Sequence, residues 1–420
     1  MKRKIILVLV GLAVSILLLP FSSQAGEIDI LVQKLVDKGV LSQGEAQQIL
    51  TETKEEVRAQ LAKGDMDTLP AWIQNMKLKG DFRLRYQYDD KDKDSVSGRN
   101  RGRIRYRLGI ETDINDQVKV AAGLASGSSD PRSTNQTFQD TFSTKGINLD
   151  YAYVKYAAQP WLTLFGGKMI GKDILWEPTD LLWDGDITPE GGAAVLSKSV
   201  DNMDFFANLG FFPIDESSSA SDEPYMGYIQ PGVQIKLNDN TSLKGAVTAY
   251  TVQSAEYDID NSAGTNTLVG SNHKYDYDAI SPAFELGFSE PLGGVVPYFS
   301  LFGEYVKAFD PDDEDEGFAA GIKFGDKKVS SPGQWQIKYI YRYLERDAWL
   351  DALPDSDAYD GDTNVKGHEI QWTYGLSKNI TFGLDYYYMQ PIKTLSGISD
   401  HSLGSGNEQH VIQADLVFKF

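Results

Sequence analysis

The chain has 420 residues, 60 of them acidic and 40 basic, so its formal net charge at pH 7 is −20. This excess of acid argues against nucleic acid as a partner, because surfaces that bind nucleic acid are basic. The sequence has no cysteine, which excludes a disulfide framework and any cysteine-based metal or redox site. Its 22 tyrosines and 19 phenylalanines indicate a protein rich in strands.

The first 25 residues have the organisation of a secretory signal peptide. A basic stretch at positions 2–4 precedes an apolar run that ends at Leu19, and Ser23 and Ala25 occupy the small positions of a cleavage site. We therefore predict residues 1–25 to be a signal peptide that is cleaved after Ala25. The alternative is an uncleaved membrane anchor, but the run is short for a spanning helix. No comparable apolar run follows, which excludes an α-helical membrane protein.

Residues 26–64 have helical periodicity. Gly39 ends a first predicted helix, and Ser42 with Glu45 forms a capping box for a second one. An apolar stripe of this kind cannot bury itself alone, so we expect it to pack against the domain that follows or to form a coiled coil with copies of itself. The alternative is a loosely ordered tail. Residues 65–75 are predicted to be a linker.

From Met76 onward the sequence alternates between apolar and polar residues. Residues 76–88, MKLKGDFRLRYQY, place apolar side chains on one face and lysine, arginine and aspartate on the other, and residues 101–114, RGRIRYRLGIETDI, repeat the pattern. Period-two alternation indicates a strand between an apolar and a polar medium. Strands of about 13 residues are long for a soluble sheet and suit a tilted strand that crosses a membrane.

The final residues, 410–420, have the sequence HVIQADLVFKF and alternate in the same way. Small or large apolar side chains occupy one face, and Gln413, Asp415 and Lys419 occupy the other. Taken alone, this strand fits either the core of a soluble sheet or the wall of a membrane barrel. The signal peptide and the length of the earlier strands favour the barrel.

Turn spacing predicts the topology. Short connections are expected at 115–116, 159–160, 200–202, 238–240, 290–294, 325–333 and 378–379. They alternate with long polar connections at 89–100, 126–146, 170–191, 213–227, 253–278, 309–317, 347–365 and 390–409. Such alternation is typical of a barrel with one rim on each side of a membrane. We therefore predict that residues 76–420 form an all-β, antiparallel transmembrane barrel of about 16 strands. Alternation is weak around residues 147–169 and 192–212.

These features resemble the putative porins of Gram-negative outer membranes. The resemblance covers the signal peptide, the short helical segment, the strands and the terminal Phe420. Its most specific part is PTDLLWDGDITPEGGA, residues 178–193, which follows LTLFGGKM at residues 162–169. By this resemblance, the third long loop, residues 170–191, is expected to fold into the barrel and narrow the pore.

The resemblance also implies a location and partners. It implies a homotrimer among outer-membrane lipids, with the N-terminal segment in the periplasm. Phe420, Phe418 and Leu416 would be the signal that the barrel assembly machinery of the outer membrane recognises. The expected function is passive diffusion of ions and small hydrophilic solutes through a water-filled lumen, without a reaction, a cofactor or a bound metal.

Charged side chains with inward parity are the candidate pore-lining residues. The predicted basic wall comprises Arg83, Arg85, Arg103, Arg105, Arg107, Lys338 and Arg342. The predicted acids of the constriction loop are Asp173, Glu177, Asp180, Asp184, Asp186 and Glu190. Opposed charges would create a transverse field that favours hydrated polar solutes. Alternatively, the arginines pair with lumen acids and only stiffen the wall. The wall favours anions and the loops favour cations, so the sequence leaves the ion preference open.

Enzymatic functions find little support in the sequence. Its four histidines are scattered, and no nucleophile-elbow or zinc-protease motif occurs. Acidic runs at 89–94 and 310–316 and the acids between Asp347 and Asp362 fit solvated loops or, alternatively, divalent-cation binding, although the run at 310–316 lacks the spacing of an EF-hand. Two alternative functions remain: a structural protein tethered to the cell wall or a partner through its helical segment, and a substrate-specific channel for hydrophobic solutes.

Overall fold

A computed structural model describes residues 46, 71–91, 98–216, 223–256, 259–270, 272–292, 295–394 and 408–420. The chain forms two compact units, residues 1–74 and 75–420. In the first unit Ala46 is helical, and Ala71–Gln74 forms a single helical turn within the predicted linker. The predicted signal peptide and the rest of the predicted helical segment lie outside the described residues. No described helix is long and apolar enough to cross a membrane.

The second unit is a closed antiparallel barrel of 16 strands, as predicted. Each strand pairs with its neighbours in the chain, and the last pairs with the first from Asp81 opposite Lys419 to Lys91 opposite Gln409. The strands are β1 Lys77–Lys91, β2 Arg99–Asp113, β3 Val118–Ser126, β4 Ile147–Gln159, β5 Leu162–Lys168, β6 Glu190–Val200, β7 Met203–Pro213, β8 Tyr225–Asn238, β9 Thr241–Gln253, β10 Ala279–Ser289, β11 Tyr298–Ala308, β12 Glu316–Gly325, β13 Trp335–Leu344, β14 Val365–Ser377, β15 Ile380–Pro391 and β16 Gln409–Lys419.

Alternation along the strands sorts side chains between the two faces of the wall. In β1, Arg83 and Arg85 are buried on the inner side, while Leu84 and Tyr86 are exposed on the outer side. Because successive side chains of a strand point to opposite faces, the sequence pattern is sufficient to produce a polar lumen and an apolar exterior.

The connections alternate between the two ends of the barrel, in agreement with the predicted turns, although the seven-residue loops 92–98 and 309–315 are shorter than the turns at 290–297 and 326–334. The long loops are L1 (92–98), L2 (127–146), L3 (169–189), L4 (214–224), L5 (254–278), L6 (309–315), L7 (345–364) and L8 (392–408). The short turns lie at 114–117, 160–161, 201–202, 239–240, 290–297, 326–334 and 378–379. All long loops emerge at one end, here called the long-loop rim, and all short turns lie at the other, the short-turn rim.

The hydrophobic core lies inside the barrel, where L3 and L7 meet. Leu182 of L3 and Trp349 and Leu350 of L7 are fully buried, and the wall residue Tyr250 belongs to the same cluster. The sequence predicted that L3 enters the lumen but did not predict the same for L7. Burial of these apolar side chains is the physical reason that both loops fold inward rather than extend into water.

The first region of weak alternation, residues 147–169, contains departures from regular strands. The pairing of β3 with β4 shifts register between Gly123 and Leu124. Strand β5 has only 7 residues, because the chain leaves the wall after Lys168 to enter the lumen as L3. Beyond the end of β3, Gln136 and Thr137 of L2 pair with β2 in its place.

Candidate solute pathway through the barrel

L3 is held to the wall by hydrogen bonds at both ends. Its base is closed by the amide of Met169, which donates to the carbonyl oxygen of Pro189 at 2.8 Å. On β8, the Gln230 amide group accepts from the Trp176 backbone N–H at 3.0 Å and donates to the Trp176 carbonyl oxygen at 2.8 Å. The hydroxyl of Tyr228 donates to the carbonyl oxygen of Ile174 at 2.7 Å. These backbone contacts fix the path of L3 across the lumen.

L7 is fastened to L3. The indole Nε1 of Trp349 donates to the carbonyl oxygen of Leu182 at 2.7 Å. The amide of Asp184 donates to the carbonyl oxygen of Leu353 at 2.7 Å, and its carboxylate accepts from the amide of Ser356 at 2.8 Å. The two loops therefore form one partition inside the barrel.

L5 joins this partition through Asp351 of L7. The buried carboxylate of Asp351 accepts from the backbone amides of Thr265 at 2.6 Å and Asn266 at 3.1 Å, and from the Ser262 hydroxyl at 2.7 Å. Burial alone would raise the pKa of Asp351, but these donors and the nearby His273 outweigh it and lower the pKa to about 2. Asp351 is therefore ionised throughout the physiological range and links L5 to L7.

Within the predicted basic wall, Arg83 and Arg85 are paired with carboxylates. Asp415 of β16 accepts from Arg85 Nε at 2.7 Å and from Arg83 Nη1 at 3.4 Å. Arg85 Nη1 also lies 3.1 Å from Asp357 Oδ2 of L7. Burial would raise the pKa of Asp357, but the positive charges of Arg85 and Arg83 outweigh it and lower the pKa. This part of the wall therefore holds L7 in place.

The rest of the predicted wall on β2 is also engaged. Asp81 lies 2.8 Å from Arg105 Nη2 and 2.8 Å from Arg107 Nε, and Arg107 Nη1 reaches Asp186 of L3 at 3.3 Å. Arg103 differs, because its hydrogen-bond partners among the described residues are uncharged: it donates to the side-chain oxygens of Gln87 at 2.8 Å and Ser133 at 3.4 Å.

Arg342 lies at the centre of a carboxylate cluster. Its Nη2 lies 2.8 Å from Asp180 of L3, 3.2 Å from Asp355 of L7 and 2.7 Å from Glu369 of β14. Oxygens of the three carboxylates lie within 4.8 Å of one another, a spacing compatible with a metal ion. The guanidinium already occupies the centre, so it serves as their counter-ion.

Of the three remaining predicted loop acids, two lie in L3 and one lies in the wall. Asp173 of L3 accepts from the Tyr153 hydroxyl at 3.1 Å, and Glu177 accepts from the Tyr250 hydroxyl at 2.9 Å. Burial, together with the negative charge of Glu304, raises the pKa of Glu177 well above its ordinary value. Glu190 is not a loop acid as predicted. It begins β6, because the chain has already rejoined the wall at that residue, and it lies 2.9 Å from Lys168.

Two cavities border the partition. The outer cavity, of about 470 Å³, is lined by residues of the long-loop rim such as Asn261 and Leu350. The inner cavity, of about 410 Å³, is lined by L3 and by Lys338, which lies nearer the short-turn end of β13. Trp183, Pro189 and Phe212 line both cavities, and we call this group the aromatic slot.

Several participants were not among the predicted site residues. Asp81 and Asp415 have inward parity on β1 and β16, so their strand pattern could have identified them. Asp355 and Asp357 had no such signal, because nothing in the sequence indicated that L7 enters the lumen. The aromatic slot combines residues of L3 and β7 and was likewise not predicted.

At the closing seam, Phe420 pairs with Gly80 through both backbone groups. Phe420 N donates to Gly80 O at 3.0 Å, and Gly80 N donates to Phe420 O at 2.8 Å. The Phe418 ring lies 6.1 Å from that of Phe82, and Leu416 is opposite Leu84. The three residues of the predicted assembly signal therefore lie at the junction of the last and first strands.

A barrel with a polar lumen, an apolar exterior and an inserted loop defines a channel protein of the outer membrane rather than an enzyme. The family described as putative porin matches residues 90–287 and 269–420. The chain belongs to this family.

Comparison with solved structures supports the fold. The chain is similar to OprB of Pseudomonas putida, in a structure determined at high pH, with a TM-score of 0.54 and 13% identity over 83% of this chain and 95% of that one. It is also aligned with a triple mutant of the Rhodopseudomonas blastica porin, with a TM-score of 0.44 and 12% identity over 82% of this chain and 100% of that one. No curated protein matches the chain.

Proposed function

We propose that this porin allows passive diffusion of small hydrophilic solutes and ions past the partition formed by L3, L5 and L7. The observation that carries the proposal is the pair of cavities that border this partition and share the side chains of the aromatic slot. Polar side chains line the inner face of the wall, so water can fill the rest of the lumen.

We further propose that the predicted wall and loop charges line this path and act mainly as ion pairs. Arg83, Arg85, Arg105 and Arg107 each lie within 3.4 Å of a carboxylate oxygen. Such pairs produce local dipoles rather than one positive ring, which supports the hypothesis that the arginines stiffen the wall. A transverse field between the wall and L3 remains, but it is weaker than formal charges suggest.

The setting of the channel is part of the proposal. The exposed apolar residues of the outer face suit contact with outer-membrane lipids, and the long-loop rim would face outward from the cell. Residues 1–25 would direct export, and the segment from 26 to 64 would lie in the periplasm. The seam residues Leu416, Phe418 and Phe420 would be recognised by the barrel assembly machinery, and three copies would form a homotrimer.

Planar-bilayer conductance of the purified protein in KCl tests the proposal. Stable, stepwise conductance is expected, in groups of three if the trimer remains intact. Circular dichroism should establish that the sample is a folded barrel before each recording. A folded barrel that never conducts would overturn the channel proposal.

A further inference from the structure

The aromatic slot consists of the three side chains that line both cavities, and all three are largely apolar. Trp183 and Pro189 are residues of L3 and its junction with β6, and Phe212 is a residue of β7. Phe212 is 4% exposed and packs at 5.8 Å from the ring of Tyr228, which holds its orientation. A solute that moves between the cavities therefore meets flat aromatic surfaces rather than a ring of charge.

The inner cavity has charged side chains of both signs. Lys172 and Lys338 line it, and neither ammonium group has a hydrogen bond or ion pair with another described residue. Of the three carboxylates in the lining, Asp180 is paired with Arg342. Glu177 and Asp184 remain, so two lysines without a hydrogen-bonded acid among the described residues face two carboxyls, although the charge of Lys338 also acts on Asp180.

These two acids lack a cationic partner in hydrogen-bond contact. Glu177 accepts from the uncharged hydroxyl of Tyr250, and Asp184 accepts from the amides of Asp186 and Ser356, each at 2.8 Å. Burial raises the pKa of both carboxyls. A bound cationic group would favour their ionised form and lower both pKa values.

We propose that the inner cavity and the aromatic slot together form a binding site for a zwitterionic solute with a flat apolar group, such as an aromatic amino acid. This inference rests on the proposed function as a channel. The ammonium group of the solute would pair with Glu177 or Asp184, its carboxylate with Lys172 or Lys338, and its ring would stack in the slot on Trp183.

Charge balance favours this solute over an ion of one sign. A cation meets the two lysines as like charges, and an anion can pair with the lysines alone, whereas a zwitterion can pair with a lysine and also with an acid that its ammonium group ionises. The cavity volume of about 410 Å³ lies within the usual range of small-molecule sites, roughly 300–1,000 Å³. Aromatic faces add attraction for a ring, which separates this solute from a zwitterion without one.

Uptake into proteoliposomes tests the inference with three matched probes. Labelled phenylalanine carries both charges and a ring, glycine carries both charges only, and phenylpropionate carries the ring and a negative charge. Channels with the native sequence should take up phenylalanine several-fold faster than phenylpropionate and, after correction for free diffusion, faster than glycine. Phenylalanine should also interrupt the KCl current in planar bilayers.

Two variants localise the site. Trp183→Ala should abolish the advantage of phenylalanine over glycine while KCl conductance persists or rises. Trp176→Ala is the matched control, because Trp176 lines the inner cavity only, and it should retain part of that advantage. Lys338→Met should remove the interruption of current by phenylalanine.

Conductance and uptake distinguish the failure of this inference from failure of the proposed function. Channels that conduct KCl but take up the three probes at equal corrected rates, or that prefer an uncharged hexose, would overturn the zwitterion site and leave the porin intact. Folded protein that neither conducts nor takes up any probe would overturn the channel, and the site with it.

Discussion

The indole of Trp349 in L7 donates a hydrogen bond to the carbonyl oxygen of Leu182 in L3, and its ring packs edge-on against Tyr250 of the wall at 4.7 Å. One fully buried side chain thus fastens two loops to each other and to the barrel. The partition depends on this contact more than on any single ion pair, because removing it leaves both an unpaired carbonyl group and a large void.

Trp349→Ala should release L7 from L3. Loss of a buried tryptophan costs about 3–5 kcal/mol in a packed core. Here it should destabilise the packing of the loops rather than the pairing of the strands. We expect faster hydrogen exchange in L7, higher single-channel conductance and an unchanged β-sheet signal by circular dichroism. Trp161→Ala is the control, because Trp161 is half-exposed in a short turn. Unchanged exchange in L7 would contradict this role of Trp349.

Arg342→Met should lower the stability of the folded barrel, because Asp180, Asp355 and Glu369 share this guanidinium. Removing one partner of a buried ion pair costs roughly 3–5 kcal/mol. Thermal unfolding in detergent should shift to lower temperature, whereas Arg99→Met, at an exposed position, should not change it. Adding Glu369→Gln to Arg342→Met should restore part of the loss. No recovery in the double variant would contradict the counter-ion role.

Arg103→Gln should shift ion preference toward cations at a small cost in stability. Among the described residues, Arg103 donates its side-chain hydrogen bonds to the uncharged oxygens of Gln87 and Ser133, so its removal leaves no carboxylate without a hydrogen-bond partner. The reversal potential across a KCl gradient should move toward the potassium potential. Arg105→Gln is the comparison, because Arg105 is paired with Asp81, and it should lower stability more. A shift toward the chloride potential in Arg103→Gln would contradict the prediction.

The stability of the partition around Asp184 should fall as pH rises, because a buried carboxyl must ionise there. Burial and the negative charge of Asp186 raise the pKa of Asp184 from 3.8 to about 7. Because the folded pKa lies above the ordinary value, the stabilising contribution of this group is complete below about pH 4 and is lost as pH rises through about 7. Hydrogen exchange of residues 353–357, corrected for intrinsic rate, should accelerate between about pH 4 and 7 and level off above that range.

Asp184→Asn should flatten that pH dependence. Asp310→Asn is the control, since the pKa of Asp310 is also raised by burial but the residue lies in L6. If the slope for residues 353–357 remained the same in Asp184→Asn, the titrating group would have to be another acid of the partition, such as Asp355.

Phe420→Ala should reduce assembly in cells more than stability in vitro. Phe420 is 54% exposed, and the centroid of its ring lies 6.3 Å from that of the Tyr106 ring. Its backbone pairs with that of Gly80. Alanine preserves the backbone pairing, so refolding into detergent should be nearly normal, but the outer membrane should contain less folded barrel. Phe284→Ala, an outward-facing residue of β10, is the control. Equal assembly of both variants would contradict an assembly signal at Phe420.

The barrel could be predicted from the sequence because the pattern that determines each strand lies within that strand and its flanking turns. In β1 and β2 every second residue changes polarity, and turn residues mark both ends, so face, length and strand number follow from the pattern. Prediction was weakest near β5, where the strand stops after 7 residues. There the chain leaves the wall, so successive residues no longer alternate between an apolar and a polar medium.

The partition was only partly predictable. L3 was identified through a family resemblance, but L7 is acidic along most of its length and resembles a solvated loop. Its burial depends on contacts distant in sequence, such as Trp349 with Leu182 and Asp351 with Thr265. Likewise, inward parity could place Arg83 and Arg85 on one wall, but it could not reveal that Asp357 would reach them.

The seam between β16 and β1 has a consequence for biogenesis. Arg83 and Asp415 meet there although 332 positions separate them, whereas every other pair of barrel strands is adjacent in the chain. Synthesis supplies the first edge early and the second edge last, so an incomplete chain carries two unpaired edges throughout translocation. The barrel therefore closes only when β1 and β16 are both present, and until then both edges remain available for pairing with other chains.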